Sequence, residues 1–161
     1  GSPWSEKLKR VAWISNEICT NIVYAPKETM VAVEAPFVST RGNTLDLTRL
    51  FHVVTTDLWR AGATIVTVQP TSLKKYATGK GNADKGQMAE ALMALAAPAR
   101  RKAAQAMGWT EASLPLPPPM NDDEVDAIWL WLVGAHLAGD TRWSNIDRHT
   151  LITSLQAKGA A

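Results

Sequence analysis

The chain has 161 residues, of which 46% are hydrophobic and 20% charged, the size and composition of one soluble globular domain. Its net charge of +2 permits a polyanionic partner but is too small to indicate one by itself. The sequence excludes an intramolecular disulfide, because Cys19 is the single cysteine, and it excludes a membrane span, because no apolar run reaches about 18 residues.

The cellular setting follows from the same features. Cys19 lies in an apolar-periodic stretch, as a small buried thiol does, which indicates a reducing compartment. No signal peptide opens the chain, so we predict a cytoplasmic protein that binds no membrane. The chain begins with Gly1-Ser2 and without an initiator methionine, and we expect further residues upstream.

The first predicted elements are a helix and a strand. Apolar residues at helical spacing predict a helix from Ser5 to Tyr24, with Ser5 as its N-cap. After Pro26, residues 30–34 form a short, continuous, β-branched run, which is typical of a strand buried on both faces of a parallel sheet. Glu34 ends this strand.

A second helix and a second strand follow. After a loop around Arg41, apolar residues from Leu45 to Leu58 lie at helical spacing, and Ala61-Gly62 ends that helix. Residues 63–68 are rich in threonine and valine and indicate a second buried strand. The order strand, helix, strand predicts a βαβ crossover and therefore an α/β fold with an at least partly parallel sheet.

The middle of the chain is basic and then proline-rich. Residues 73–85 contain four lysines and two glycines and predict a mobile cationic loop. Two helix-compatible stretches follow at residues 87–97 and 100–107, and the prolines of residues 114–120 indicate an irregular spacer.

A strong helix is predicted near the end of the chain, over residues 121–138. It is apolar on nearly every side, so we expect it to be buried, with Trp129 and Trp131 in the core. A weaker amphipathic stretch at residues 146–155 precedes a disordered tail.

Two groups of carboxylates can carry chemistry. Glu34 lies at the carboxyl end of a buried parallel strand, where open α/β sheets bind ligands, although a solvated strand-end glutamate is the plain alternative. At the start of the last helix, capping and the helix dipole explain Asn121, Asp122 and Glu124. They do not explain Asp126, which lies past the first turn in an apolar setting and shares a face with Asp123. Near Glu34, these two acids would form an all-oxygen site for Mg²⁺ or Mn²⁺.

The lysine-rich segment is the third feature. Lys74, Lys75, Lys80 and Lys85 suit contacts to phosphates or stabilisation of charge during phosphodiester cleavage, and a solvated charged loop is the alternative. The sequence Gly79-Lys80-Gly81 lacks the spacing of a nucleoside-triphosphate-binding loop.

Together these segments resemble RuvC-type Holliday-junction resolvases, which belong to the ribonuclease-H-like nucleases. The resemblance covers residues 3 to 138 and rests on four strings, listed in chain order: Val31 to Phe37, Asn43 to Leu47, Pro70 to Lys85, and Asp123 to Ala127. It implies a single RuvC-like domain over residues 1–161, with a core over about 3–138 and a C-terminal helix and tail over 139–161.

The resemblance also implies roles for individual residues. Glu34, Asp123 and Asp126 would be the catalytic metal ligands, for two Mg²⁺ or Mn²⁺ ions per site. Lys85 would be the catalytic charge stabiliser. The DNA contacts would be Phe37, Arg41, Lys74, Lys75 and Lys80. The second helix, through Leu47, Leu50 and Phe51, would form a homodimer suited to branched DNA such as a four-way junction.

One departure from the family pattern leaves alternatives open. The family opens with strands that carry a first catalytic aspartate, and this chain begins after them. We therefore expect a domain truncated at its N-terminus, and inactive in this form if that aspartate is absent. The alternatives to a nuclease are a module that binds branched DNA without cutting it, and an unrelated α/β domain whose acids are helix caps. If a phage encodes the protein, the cytoplasm in question is that of its bacterial host.

Overall fold

The computed structural model describes residues 3–22, 29–36, 44–113 and 119–140. Its contacts divide the chain into two compact units, Gly1–Pro70 and Thr71–Ala161, and each is described by itself. The single domain expected over residues 1–161 stays a prediction. The predicted helix at 146–155 and the tail lie outside the described residues.

The first unit is the predicted βαβ arrangement preceded by a helix. It contains α1 (Pro3–Ile22), β1 (Met30–Glu34), α2 (Thr44–Arg60) and β2 (Thr64–Val68). The strands are parallel, in a register that pairs Met30 with Thr64 and Glu34 with Val68. The predicted start of α1 is wrong: the helix begins at Pro3, because proline suits a first helical position, and Ser5 lies inside the first turn.

The strands are less buried than the sequence predicts. Every residue of β1 is half-buried, and in β2 Thr64 and Thr67 are exposed while Val68 is fully buried. Within the described residues the sheet has two strands, so each strand has one hydrogen-bonded neighbour. A two-stranded sheet covered by few elements cannot bury both faces.

The core of the first unit lies between its two helices and the strands. Val54, Leu58 and Ala63 are buried, and the side chains that pack against them are Ile18, Cys19, Val31, Leu50 and Ile65. Cys19 packs against this apolar cluster, but it is half-buried and not buried as the sequence predicts. A partly buried polar contact joins the helices, since the buried Ser15 hydroxyl donates to Asp57 Oδ2 at 2.7 Å.

The N-terminal ends of α1 and α2 are joined at the surface. Lys7 Nζ donates to Asp46 Oδ2 at 2.9 Å, and Arg49 donates to the other oxygen of Asp46 at 3.2 Å. The Lys7 hydrogen bond, together with the charges of Lys7 and Arg49, lowers the pKa of the Asp46 carboxyl from its ordinary 3.8. The Arg49 guanidinium also lies 4.5 Å from the centre of the Trp4 ring, a cation–π contact.

The second unit is helical in its described residues. α3 (Pro70–Thr78) leads into it, followed by α4 (Lys85–Ala106), a short 3-10 helix (Glu111–Ser113) and α5 (Asp122–Leu137). α5 confirms the predicted last helix to within a residue at each end. The two predicted stretches at 87–97 and 100–107 are one continuous helix, α4, which contains Pro98. The alanine-rich sequence around Pro98 favours helix strongly enough to retain it.

The predicted loop over residues 73–85 is mostly wrong. Its first half is the end of α3, in which Leu73, Tyr76 and Ala77 are buried at the i, i+3, i+4 spacing of a helix face. The helix ends at Thr78, and the next residue, Gly79, has a φ of +80°, which favours glycine. The remaining loop, residues 79–84, is therefore short.

The tryptophans of α5 do not share one environment. Trp129 is completely buried, and its Nε1 donates to the Met88 carbonyl at 3.2 Å. Trp131 is 58% exposed, so its predicted place in the core is wrong. Two residues turn a helix by about 200°, which directs Trp131 away from the face that carries Trp129 and Val133. Four further described tryptophans are also exposed: Trp4, Trp13, Trp59 and Trp109.

Candidate metal and nucleic-acid site

The start of α5 separates capping residues from the remaining acids. The Glu124 backbone N–H donates to Asn121 Oδ1 at 2.9 Å, and the Asn121 N–H donates to Glu124 Oε2 at 2.8 Å. This reciprocal capping box satisfies two N–H groups that the helix leaves without internal partners. The capping explanation of Asn121 and Glu124 is thus confirmed. Asp123 and Asp126 take no part in the box.

Asp126 is the least exposed of the acidic residues at the start of α5. Its side chain is 16% exposed, whereas Asp122, Asp123 and Glu124 are all exposed. Asp126 Oδ2 accepts a hydrogen bond from Lys85 Nζ in a close ion pair. A mostly buried carboxylate needs such a positive partner, because removing its charge from water is costly. Two residues that the sequence singled out separately, 41 positions apart, therefore meet.

The packing of α4 on α5 explains why this pair forms. Met88 and Trp129, which share the buried hydrogen bond, each lie three residues after a member of the ion pair, Lys85 and Asp126. The two contacts are therefore one helical turn apart on both helices. In addition, the Tyr76 hydroxyl donates to the Leu132 carbonyl at 3.3 Å, which attaches α3 to the same face of α5. The core contacts thus fix the position at which the ion pair forms.

The sequence did not predict the position of Lys85 at the start of a helix. It is the first residue of α4, directly after the N-cap Asp84. Asp84 Oδ1 accepts from the Gln87 N–H at 2.8 Å, and Gln87 Oε1 accepts from the Asp84 N–H at 3.0 Å. The signal was present in the sequence as an aspartate followed three residues later by glutamine. Lys85 thus extends from a fixed helix start, and its side chain is 42% exposed.

Glu34 lies where the sequence predicts, at the carboxyl end of a parallel strand. It is half-buried, and the next residue, Ala35, donates its N–H to the Val68 carbonyl at 2.8 Å. Glu34 belongs to the first unit, and Asp123 and Asp126 belong to the second. Among the described residues of either unit, no three His, Cys, Asp or Glu side chains are grouped to hold a metal. A joint site of these three acids stays a prediction.

The donor set of the second unit fits part of a magnesium site. Asp123 and Asp126 lie three residues apart on one helix and supply carboxylate oxygens, the ligands that Mg²⁺ and Mn²⁺ prefer. Asp126 also already holds a cation, the Lys85 ammonium. This arrangement could hold one side of a divalent cation and leaves the remaining ligands to other groups.

The other predicted DNA-binding lysines are divided between α3 and the loop after it. Lys74 and Lys75 lie on α3, with Lys74 half-buried, and Lys80 is exposed in the loop. The loop is attached to the helix, since the Lys80 N–H donates to Thr78 Oγ1 at 3.1 Å and that hydroxyl donates to the Lys74 carbonyl at 2.9 Å. The helix over Pro70–Thr78 contradicts the predicted loop for Lys74 and Lys75, and Lys80 alone of these three lies in a loop. Phe37 and Arg41 lie outside the described residues.

Comparisons with known proteins give the family. No protein-family model matches the chain. It is 31% identical over 134 residues to the crossover junction endodeoxyribonuclease RuvC of Synechococcus sp. (strain WH7803), an alignment that covers 83% of this chain and 73% of that protein. The structure of Thermus thermophilus RuvC aligns with a TM-score of 0.53 at 18% identity and covers 87% of this chain and 75% of that one.

The structural likeness shows the fold, an α/β fold of the ribonuclease-H-like type with a small parallel sheet and helices, as the sequence predicts. The sequence identity to the Synechococcus protein, which extends over most of both chains, also establishes the family. The chain belongs to the RuvC family of crossover junction endodeoxyribonucleases. Separately, no helix among the described residues has both the length and the apolar character needed to cross a bilayer.

Proposed function

We propose that this protein is a divalent-metal-dependent endonuclease that resolves Holliday junctions or related branched DNA in the cytoplasm. The observation that carries the proposal is its likeness to the RuvC protein of Synechococcus over 83% of the chain. The mostly buried Asp126 supports it, because a carboxylate in that setting needs a cation. The cation beside it is the Lys85 ammonium, a group that also binds phosphates.

In this proposal the acids and lysines have separate roles. Glu34, Asp123 and Asp126 hold the metal, Mg²⁺ or Mn²⁺, with two ions in each complete site. Bound there, the metal supplies an activated water and stabilises the leaving oxygen of the cleaved phosphodiester. Lys85 donates a hydrogen bond to an oxygen of the scissile phosphate and stabilises the charge that develops there.

The DNA contacts extend from this site. Lys74, Lys75 and Lys80 bind backbone phosphates, and their number sets much of the salt dependence of binding. Phe37 stacks on unpaired bases near the junction centre, and Arg41 contacts the backbone beside it.

The proposed dimer uses the exposed face of α2. Leu47 is 62% exposed and Trp59 is 68% exposed, and Phe51 and Trp59 line a shallow groove between α2 and β2. Leu50, which the sequence placed in the interface, instead packs against the core of its own unit.

We therefore expect Leu47→Glu or Trp59→Glu to yield monomers in sedimentation equilibrium. Trp109→Glu, at an exposed tryptophan of the other unit, should leave the dimer intact, and dimers in all three variants would exclude this face.

The nuclease proposal is tested with a labelled four-way junction. The full-length protein, with any residues that precede Gly1, is incubated with the junction and Mn²⁺, alongside its variants Glu34→Gln, Asp126→Asn and the matched control Glu124→Gln. The control keeps the capping hydrogen bond, because a glutamine side-chain oxygen still accepts from the Asn121 N–H. We expect metal-dependent nicking by the full-length protein and by the control, and a loss of at least about 100-fold in the other two variants.

Two results would redirect the proposal. Binding of the junction without nicking by the full-length protein would favour a module that binds branched DNA and does not cut it. Full activity in Asp126→Asn would show that this carboxylate is no metal ligand and would favour an α/β domain whose acids only cap a helix.

A further inference from the structure

The ion pair between Lys85 and Asp126 places two proposed catalytic groups in direct contact. In the proposed function, Asp126 binds a divalent cation and Lys85 binds a phosphate. In the structure the Lys85 ammonium lies on Asp126 Oδ2. A carboxylate oxygen in close contact with an ammonium has less capacity for a metal ion, because both cations need the same lone pairs.

The two side chains of the ion pair differ in their exposure to water. Asp126 is 16% exposed, so water can balance little of its charge, whereas Lys85 is 42% exposed and is well hydrated. The ion pair therefore stabilises the charge of the Asp126 carboxylate more than that of the Lys85 ammonium. Lys85 can leave it at little cost once another cation neutralises Asp126, since a lysine ammonium is readily hydrated.

The anchoring of both helices confines any movement to the Lys85 side chain. The Asp84 capping box fixes the backbone at the start of α4, and the buried bond from Trp129 to Met88 fixes α4 on α5. A lysine has a flexible four-carbon stem, so its ammonium can turn away while its backbone stays in place. Exchange of partners needs no rearrangement of the core.

We infer that Lys85 is a displaceable counter-ion of Asp126: the ammonium and the divalent cation exchange at the same carboxylate, and binding of the metal releases Lys85 toward the substrate phosphate. The inference rests on the proposed function, since it takes Asp126 as a metal ligand. It adds that the metal and the charge-stabilising lysine are coupled, so that Lys85 becomes available when the metal is bound.

The test measures Mn²⁺ affinity of the full chain by isothermal titration calorimetry in the absence of DNA. Lys85→Met removes the competing charge and keeps the length of the side chain, so we expect Mn²⁺ to bind about threefold to tenfold more tightly. Lys102→Met is the matched control. It removes the same charge from an exposed position of the same helix, and its affinity should stay within about twofold of the unmodified chain. Lys85→Arg keeps a cation beside Asp126 and should bind Mn²⁺ no more tightly than the unmodified chain.

A second measurement follows the lysine itself. Acetylation of Lys85 by a water-soluble active ester, read by peptide mass spectrometry, should be slow without metal and should rise with Mn²⁺. Lys102 in the same sample should react at a constant rate. This readout uses the unmodified protein, so it does not depend on whether a variant folds.

The outcomes separate this inference from the function on which it rests. If Asp126→Asn weakens Mn²⁺ binding but Lys85→Met does not tighten it, or if Mn²⁺ leaves Lys85 acetylation unchanged, the exchange is refuted and the metal site stands. If neither Asp126→Asn nor Asp123→Asn alters Mn²⁺ binding, the metal site fails and the exchange fails with it.

Discussion

Trp129 offers the sharpest test of how the core positions the candidate site. The change is Trp129→Phe, which keeps an aromatic ring at a completely buried position and removes the Nε1–H that donates to the Met88 carbonyl at 3.2 Å. The lost hydrogen bond costs about 1 kcal/mol, and up to about 3 kcal/mol if the carbonyl is left poorly satisfied. The smaller ring leaves unfilled space that adds about 1 kcal/mol.

These contributions give a loss of roughly 2 to 4 kcal/mol in the free energy of unfolding. For a chain of this length, each kcal/mol lowers Tm by about 2 to 4 °C, so Tm should fall by about 4 to 16 °C. Urea unfolding followed by circular dichroism, with a thermal scan, measures both quantities. Because the same bond sets the register of α4 on α5, acetylation of Lys85 in the metal-free protein should also become faster.

Trp131→Phe is the matched control, because it makes the same chemical change two residues along the same helix, at a side chain that is 58% exposed. Its effect should stay within about 0.5 kcal/mol. Equal losses in the two variants would refute the assignment of Trp129 to the core and of Trp131 to the surface. A stable Trp129→Phe with unchanged Lys85 reactivity would show that the buried hydrogen bond does not position the ion pair.

Three further predictions concern the surface and the first unit. Ser15→Ala should cost about 1 to 2 kcal/mol in urea unfolding, because the partly buried Asp57 carboxylate loses its hydroxyl donor. The Lys7 hydrogen bond lowers the pKa of Asp46, so the folded state binds fewer protons there, and the resulting stability is present above the ordinary pKa of 3.8 and lost as pH falls through the lowered value. Thermal scans between about pH 2 and pH 6 should therefore show a weaker acid dependence in Asp46→Asn, and an unchanged profile would contradict the pair. Lys80→Met should reduce the slope of log affinity for DNA against log salt by about 1, and an identical slope would remove Lys80 from the contact surface.

Where the sequence predicted the fold correctly, a local pattern matched the final environment. The β-branched run at residues 30–34 and the apolar spacing from Leu45 to Leu58 each indicate an element without knowledge of its neighbours. The error in the lysine-rich segment has a local cause as well. The two glycines favour a loop. The spacing of Leu73, Tyr76 and Ala77 instead indicates a buried helix face, and the structure has the helix.

The error at Trp131 has a different origin. α5 is apolar on nearly every side, so its sequence cannot indicate which face meets α3 and α4. That choice depends on tertiary contacts such as those of Trp129 with Met88 and Tyr76. Similarly, the apolar surroundings of Asp126 indicated a role other than capping, but its contact with Lys85, 41 residues away in sequence, depends on how α4 and α5 pack together.

The acids at the start of α5 show how one short segment can serve both folding and chemistry. A helix start needs acceptors for its free N–H groups, and a metal site needs carboxylates with lone pairs to spare, so the same acid cannot readily do both. Here Asn121 and Glu124 satisfy the N–H groups, which leaves Asp123 and Asp126 outside the capping box. Because the cap sets the first turn, it also sets the direction in which Asp126 extends, on the face where Trp129 is buried. The cap and the core therefore position Asp126 without using its oxygens, and those oxygens stay available for a cation, first the lysine and, in our proposal, the metal that replaces it.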